Sequence, residues 1–447
     1  MHTIPIPALL PTYEAYPFPV LKGCGDMVFD DDGNGYWDFY GGHCVCATGH
    51  CHPTVVDAIS AQAGELIFYS TAARIPLRDQ AARALVEFAN GPASVFFCNS
   101  GAEAVEAAIK FARASTKRHR ILYHAHAYHG LTMGALALNG SAEFRIGFGP
   151  LMPDTTEVPL GDLDALKKEL RRGDVAALIV EPIQGKGVVE LDAERWRALE
   201  AAVHEAGALF ICDEVQTGLG RTGRFYAFEH YGLSPDIITV SKALSGGFVP
   251  VGAMLASDKV FRSVYSSMDR AMVHSTTFKG NQLAMVAGLA TLSVFDDERI
   301  VEHASAMGDV WRARLEELAT RHEFLHEVRG RGQMIGVVFG PPSTPALKRR
   351  WRMVEATRTA MFSQTLVVPL FQRYGILTQV AADNMNVIKL LPPLIAAEAE
   401  IDQFVNALDE LLTDAEKKVG WLVSFGLTMA KGVLRRTPSS SQARVPS

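Results

Sequence analysis

Three stretches of the chain place reactive side chains where an apolar run stops. In Asp236-Ile-Ile-Thr-Val-Ser-Lys-Ala-Leu-Ser-Gly-Gly the run ends and Lys242 follows among small residues. A lysine at the edge of a buried sheet is costly unless it is paired or functional, and a partly desolvated amine forms imines with aldehydes. The alternative is a lysine that extends its stem to the surface. In Leu209-Phe-Ile-Cys-Asp-Glu-Val-Gln the run delivers Asp213 to a strand end, on the side of an open α/β sheet where ligands bind. Asp-Glu in that position could also serve the magnesium of an ATPase, but the chain has no G-x-x-x-x-G-K-[ST] loop to complete such a site. In Val95-Phe-Phe-Cys-Asn-Ser-Gly-Ala-Glu the run ends at Cys98, and Asn99-Ser100-Gly101-Ala102 turns into a helix. The amides and dipole of a helix start favour a phosphate, and Gly101 admits close approach. Ser100 alone reads equally well as an ordinary N-cap.

Taken together, these are an anchor for a phosphate, an acid and an imine-forming lysine at successive strand ends. Pyridoxal 5′-phosphate needs all three: a cradle for its phosphate, a carboxylate that keeps its ring nitrogen protonated, and a lysine for its aldehyde. No G-x-G-x-x-G directly follows an apolar run, which weakens a dinucleotide reading.

The elements that must hold these groups are legible as a pattern. Apolar runs at Val95–Cys98, Ile121–Tyr123, Ala176–Val180, Ala208–Cys212 and Asp236–Val240 alternate with amphipathic stretches at Ala102–Arg113, Leu163–Arg171 and Ala193–Ala206. Near-continuous apolar strands separated by helices predict an α/β fold with a mostly parallel sheet covered on both faces. The last third reads as a smaller α+β domain, with a helix over Val301–His322, strands at Ile335–Phe339 and Asn386–Leu391, and a helix from about Ala397 to Glu416. β-like runs at Asp26–Asp30 and Tyr36–Tyr40 belong to an N-terminal segment expected to pack on that smaller domain. The resulting division is residues 1–68 for the segment, 69–305 for the large domain, 306–418 for the small domain and 419–447 for a tail. The tail holds a weakly amphipathic piece at Trp421–Leu434, and its Ser/Pro/Arg-rich end is expected to be disordered.

Composition narrows the class. With 447 residues, 48% hydrophobic and 21% charged, and with 38 glycines and 22 prolines, the chain is neither collagenous nor low-complexity. A net charge of −6 argues against sequence-independent nucleic-acid binding. No signal pattern occupies Met1–Leu10 and no uncharged apolar run reaches the ~18 residues that span a membrane, so the expectation is a cytoplasmic protein with no membrane partner. The six cysteines are too sparse for a disulfide scaffold. The cluster His43, Cys44, Cys46, His50, Cys51, His52 invites a zinc reading, but its members crowd a single strand-to-turn segment without the second, separated pair of a structural site. A packing or pocket role is expected there, and no metal.

At these residues the sequence resembles the class III aminotransferases, the ornithine/acetylornithine/4-aminobutyrate type, from about Asp26 to Ala415. The motifs occur in family order: Gly49-His-Cys-His-Pro53, Asn99-Ser-Gly-Ala-Glu-Ala104, Tyr128-His-Gly130, Glu181-Pro-Ile-Gln-Gly185, Asp213-Glu-Val-Gln-Thr-Gly218, Gly220-Arg-Thr-Gly223, Ser241-Lys-Ala243 and Thr277-Phe-Lys-Gly-Asn281. The resemblance implies the fold type I architecture of PLP-dependent transferases and a homodimer with active sites at the interface. It implies Lys242 as the imine-forming lysine, Asp213 on the pyridinium nitrogen and Gln216 toward the ring hydroxyl. Ser100, Gly101 and Ala102 would hold the phosphate, with Thr277 of the other subunit completing the cradle. Tyr128 would stack on one ring face, unless it is a core aromatic, and Val215 on the other. Glu181 would sit beside the cofactor and orient Asp213 or Gln216. Gly220–Gly223 reads as a structural turn. Tyr40-Gly41-Gly42-His43 and Ile67-Phe68-Tyr69-Ser70 resemble the acetylornithine/succinylornithine branch, which makes His43 a substrate-pocket candidate, with packing as the alternative.

Three positions depart from the family's pattern. Lys186 stands where Glu is common, Lys389 where Arg binds the substrate α-carboxylate, and Leu131 where many acetylornithine enzymes have Arg. A Lys–Lys pair cannot form the switching Glu–Arg bridge, and Lys389 would attract a carboxylate as a point charge rather than a fork. The expected activity is ping-pong transfer of a terminal amino group from an N-acylornithine or ornithine-like donor to a 2-oxo acid such as 2-oxoglutarate, through a pyridoxamine form. The alternatives are 4-aminobutyrate, a diamine or another ω-amine as donor, an aminomutase or racemase on the same scaffold, or a non-catalytic protein.

Overall fold

The computed structural model describes residues 16, 18–89, 94–356, 358–381 and 385–417. Seven strands form the main sheet: β1 (Ser94–Cys98), β2 (Arg120–His124), β3 (Thr155–Val158), β4 (Val175–Val180), β5 (Leu209–Asp213), β6 (Ile237–Val240) and β7 (Gly252–Ala256). Their spatial order is β1-β7-β6-β5-β4-β2-β3. Strands β6, β5, β4, β2 and β3 pair in parallel, whereas β7 runs antiparallel to both β1 and β6. The run Gly252-Ala-Met-Leu-Ala is short and carries small residues, so the sequence did not mark it as a strand. Its insertion places β1, and the helix that β1 launches, at one side of β6.

Alternation along the strands explains why they look continuously apolar. Phe97, Leu122, Leu178, Phe210 and Ile238 face one core, while Phe96, Ile121, Ile179, Ile211 and Ile237 face another. Both faces are therefore buried, as a parallel sheet requires. Helix α1 (Gly101–Thr116) covers the second face with Ala104, Val105, Ala108, Ile109, Phe111 and Ala112, a helical spacing of small and apolar residues. Helix Ala193–Glu205, with Trp196, Leu199 and Val203, and helix Gln282–Asp297 both pack into the core on the first face.

A third core lies in the C-terminal part. Trp311, Leu315 and Leu318 of helix Ile300–Ala319 meet Phe404, Leu408 and Leu411 of helix Glu398–Lys417. They pack on an antiparallel sheet in the order Leu325–Arg331, Met334–Phe339, Val387–Leu390, Gln379–Val380. The N-terminal strands Lys22–Cys24, Met27–Phe29 and Gly35–Asp38 are antiparallel to one another, and Gly35–Asp38 pairs in parallel with Ile376–Leu377. Phe39, next in line, is fully buried in the C-terminal core. Both the amphipathic piece Trp421–Leu434 and the end of the tail lie outside the described residues. Among the described residues no helix is long and apolar enough to cross a membrane.

Candidate active site

The C-terminal ends of β5 and β6 carry the acid and the amine. Asp213 ends β5 in register with Thr239 of β6, and its carboxylate is almost wholly buried. Oδ1 accepts from Thr239 Oγ1 at 3.1 Å and from the Val215 amide at 3.1 Å, and Oδ2 meets His129 Nδ1 at 2.7 Å. A buried carboxylate is tolerable only with partners of this kind. Lys242 follows β6 with φ +42, a left-handed conformation that costs a non-glycine residue on the order of 1–2 kcal/mol. The strain turns Lys242 into the short 3₁₀ turn Lys242–Ser245, where its Nζ donates to Gln216 Oε1 at 3.3 Å.

The phosphate-cradle candidates stand at the start of α1. Ser100 is its N-cap, accepting from the Glu103 amide at 3.2 Å, while Glu103 Oε2 in turn accepts from the Asn99 amide at 2.8 Å. The amides of Gly101 and Ala102 open the helix without an intrahelical acceptor. A side chain on Gly101 would meet Val215 Cγ1 at 2.8 Å, so this glycine is what allows the helix start to approach the β5 loop. Gly130, at φ +119, lies against Ala102, where its Cβ would come within 2.8 Å of the Ala102 Cβ. Tyr128 is thereby placed beside the same helix start. Its ring stands edge-on to Phe144, with centroids 5.6 Å apart.

Glu181 follows β4 and receives the Tyr128 amide at 2.9 Å and the Gly185 amide at 2.9 Å. It joins two loops rather than touching Asp213 or Gln216 directly. Its link to Gln216 is one step removed, since Gln216 Nε2 donates to the Gly185 carbonyl at 3.3 Å. Burial, with the Asp213 charge adding to it, pushes the Glu181 carboxyl above its ordinary range, although the His129 charge opposes the shift.

Lys389 donates to that same Gly185 carbonyl at 3.1 Å. Hydrogen bonds therefore run from Lys242 through Gln216 and Gly185 to Lys389, which lies in the middle of a fully buried strand. Burial, then the neighbouring Lys242 charge, pushes the Lys389 ammonium down to about 8. Lys186 is buried as well, donating to Ser141 Oγ with its Nζ 4.4 Å from the centre of the Phe144 ring. His43 sits on a turn in which Gly41, Gly42, His43 and Cys44 all have positive φ, and its ring is bonded to the Tyr40 hydroxyl. Burial, then Lys242, then Lys389 push its imidazole down to about 4. Leu131 is exposed.

The remaining members of the His/Cys cluster are tied elsewhere. His50 Nε2 bonds Asp38 Oδ2 at 2.8 Å, with Cys46 Sγ 3.5 Å from Nδ1, and His52 Nε2 bonds Glu298 Oε1 at 2.9 Å. Among the described residues no three His, Cys, Asp or Glu side chains converge as a metal site. Thr277 is exposed in the single chain, while Thr276 beside it accepts from Asn99 Nδ2 at 3.0 Å.

The donor set fits pyridoxal 5′-phosphate. A buried carboxylate with three hydrogen bonds, a half-buried amine on an amide side chain and a helix start whose first amides have no intrahelical acceptor stand at three strand ends of one sheet, and Gly101 lets that helix start approach the β5 loop. Three further residues build this site. His129 was visible inside Tyr128-His-Gly130, but its partnership with Asp213 depends on β2 and β5 flanking β4. Asn139 accepts from the His129 amide at 2.8 Å and holds the Gly130 carbonyl at 2.9 Å. Thr239 is a polar residue in an otherwise apolar strand, a signal in its own right, because a buried hydroxyl needs a partner.

Residues 11–412 match the model of the family described as aminotransferase class-III. The chain is 37% identical to the acetylornithine aminotransferase of Caldanaerobacter subterraneus subsp. tengcongensis, over 91% of this chain and 97% of that one. It is 39% identical to the acetylornithine aminotransferase of Corynebacterium efficiens, over 91% and 95%. The crystal structure of ornithine aminotransferase from Toxoplasma gondii superposes with a TM-score of 0.81 at 29% identity, covering 91% of this chain and 93% of that one. This chain belongs to the class III aminotransferases, PLP-dependent transaminases of fold type I.

Proposed function

We propose that the enzyme moves a terminal amino group from an N-acylornithine or ornithine-like donor to a 2-oxo acid such as 2-oxoglutarate. The observation that carries this reading is the hydrogen-bonded line from Lys242 through Gln216 and Gly185 to Lys389. It sets a buried cation at a fixed remove from the reacting amine, where it can hold the carboxylate of a donor whose other end reacts. The names of the acetylornithine aminotransferase relatives point the same way.

Bound at this site, PLP supplies an aldehyde for the donor nitrogen and an electron sink for the charge left when the carbon beside it loses a proton. The protein's part follows from the contacts. Asp213, held by His129, Thr239 and the Val215 amide, would keep a proton on the ring nitrogen. The first-turn amides of α1 and Ser100 would hold the phosphate, with Tyr128 and Val215 on either side of the ring. Lys242 would hold the aldehyde, and its Nζ would serve as the base and acid for the proton transfer. His43, Lys186 and Lys389 line the donor's side. A homodimer belongs to the same proposal: Thr277 lies on an exposed segment that also carries Met268, Met272 and Phe278, a patch suited to a second copy bringing Thr277 to the opposite cradle. So does a cytoplasmic location, supported by six unpaired cysteines.

A half-reaction screen tests this. Amines are mixed with the PLP-loaded enzyme and conversion is followed by absorbance. Ornithine-like donors should react at the terminal amine, whereas reaction of α-amines alone refutes the terminal-amine reading. Turnover without any 2-oxo acid would assign an aminomutase or racemase instead.

A further inference from the structure

The short strands Ile183–Gln184 and Val189–Glu190 pair antiparallel, and Gly185-Lys186-Gly187-Val188 is the turn between them. The Val188 amide donates back to the Gln184 carbonyl at 2.9 Å. Val188 is fully buried and has φ +55. A β-branched residue in the left-handed region is a steric outlier, and it persists only where its surroundings hold it. Strain of this kind clusters at functional sites, and this turn carries Lys186 at its centre.

The antiparallel sheet of the C-terminal core does the holding. Arg329 pairs with Gly336, and Gly336 pairs on its other side with Lys389. Directly opposed residues of antiparallel strands present their side chains to one face, so Arg329, Gly336 and Lys389 form a row. Gly336 leaves a notch in that row, and Val188 occupies it. A Cβ on Gly336 would lie 3.0 Å from the Val188 Cβ. On one side of the notch, Arg329 Nε and Nη2 donate to the Gly187 carbonyl at 2.9 and 2.6 Å. On the other, Lys389 Nζ donates to the Gly185 carbonyl at 3.1 Å. The carbonyls that flank Lys186 are thus gripped from a single sheet. Arg329 Nη1 faces Glu327 Oε2 at 3.4 Å, so all three guanidinium nitrogens are engaged within the protein.

We propose that Arg329 is a positioning residue that clamps the Gly185–Val188 turn and so fixes Lys186, and the Gly185–Lys389 contact, where the two cations select a carboxylate-bearing donor. Arg329 acts through the turn and not on the donor. Its loss frees the Gly187 carbonyl, lets Val188 relax from its left-handed conformation, and releases Lys186 from its place over the Phe144 ring. The imine chemistry belongs to Lys242 and Asp213, at other strand ends, and is spared. The inference rests on the reading that Lys186 and Lys389 line the donor's side.

The test takes two substrates from the half-reaction screen, the fastest carboxylate-bearing donor and the fastest amine without a carboxylate. KM and kcat are measured for both with PLP-loaded enzyme. Arg329→Met should raise KM for the first about tenfold and leave its kcat, and KM for the second, within about twofold. Arg329→Lys keeps one donor for the Gly187 carbonyl and should recover part of the loss. Gly336→Ala crowds Val188 out of the notch with the guanidinium still present, and should shift donor preference in the same direction. Lys389→Met reports on the underlying reading and should raise KM for the first donor alone. That rise, without any change in Arg329→Met, overturns the clamp and leaves the reading standing. No change in Lys389→Met overturns both. An equal rise of both KM values in Arg329→Met marks a merely structural residue and overturns the proposal. So does an unaltered Gly336→Ala beside an altered Arg329→Met, which would put Arg329 on the donor itself. Should Arg329→Met not fold, Arg329→Lys and Gly336→Ala decide by the same criteria.

Discussion

Replacing Lys389 with Arg should change how the enzyme responds to pH. Lys389 is 8% exposed, and burial lowers its ammonium from an ordinary 10.5 to about 8, a shift worth on the order of 3 kcal/mol against the charged form. The sign follows from the two states. Between about 8 and 10.5 the unfolded chain holds a proton at this site that the folded chain has released, so stability rises with pH across that window. Below 8 both states are protonated and the full cost is present. For catalysis the ammonium is the useful form. A group titrating at about 8 is mostly charged at pH 7 and roughly one-tenth charged at pH 9, so kcat/KM for a donor that needs its charge should fall about tenfold over that interval. In Lys389→Arg the guanidinium stays charged, and the fall should vanish. The assay is kcat/KM from pH 6 to 10 for one carboxylate-bearing donor and one amine lacking a carboxylate, in both proteins. The amine without a carboxylate corrects for titration of the reacting nitrogen. A parallel fall in wild type and variant, or an equal fall for both donors, refutes the reasoning.

Three further outcomes follow from the contacts. His129→Ala leaves Asp213 Oδ2 buried without its partner, so urea denaturation should show a loss of about 3 kcal/mol; a loss below about 1 kcal/mol would mean the pair is not load-sharing. Gly101→Ala drives a methyl into Val215 Cγ1, so the PLP dissociation constant should rise about tenfold, whereas an unchanged constant would mean that this helix start does not hold the cofactor. His43, held down to about 4, is neutral throughout the working range, so His43→Gln should raise KM for the donor without moving the apparent pKa values of kcat/KM; a displaced pH profile would contradict that.

The sequence showed most clearly what depends on neighbours along the chain. The runs at Val95–Cys98, Leu209–Asp213 and Ile237–Val240 are strands because both sheet faces are buried, and Ser100, Asp213 and Lys242 stand at or just beyond their ends, as the run-and-stop pattern suggests. Helix α1 starts at Gly101, one residue from its expected place. What depended on pairing between distant segments was not legible. Strand β7 is too small and too short to stand out, yet it sets the position of β1. His129 and Asp213 are far apart in the chain and meet only because β2 and β5 flank β4. The helices Pro53–Ala63, Pro76–Glu87 and Pro345–Glu355 each begin on a proline, a start signal that went unused because their apolar stripes are narrow. Lys389 and Lys186 were conspicuous as departures from the family pattern, but the hydrogen bond that ties Lys389 to the Gly185 carbonyl is a property of the fold. Glu181 was expected beside the cofactor, orienting Asp213 or Gln216; its bonds to the Tyr128 and Gly185 amides, and through Gly185 to Gln216, are invisible without the loops in place.

Lys242, Lys186 and Lys389 lie near enough for the first two charges to act on the third, and Lys242 is the one proposed to carry the cofactor. Borohydride reduction of the PLP-loaded enzyme, followed by peptide mapping of the fixed cofactor, decides between them. Label on Lys242 alone, lost in Lys242→Ala, is the result expected. Label on Lys186 or Lys389 in the native enzyme, or full labelling that survives Lys242→Ala, would contradict the account.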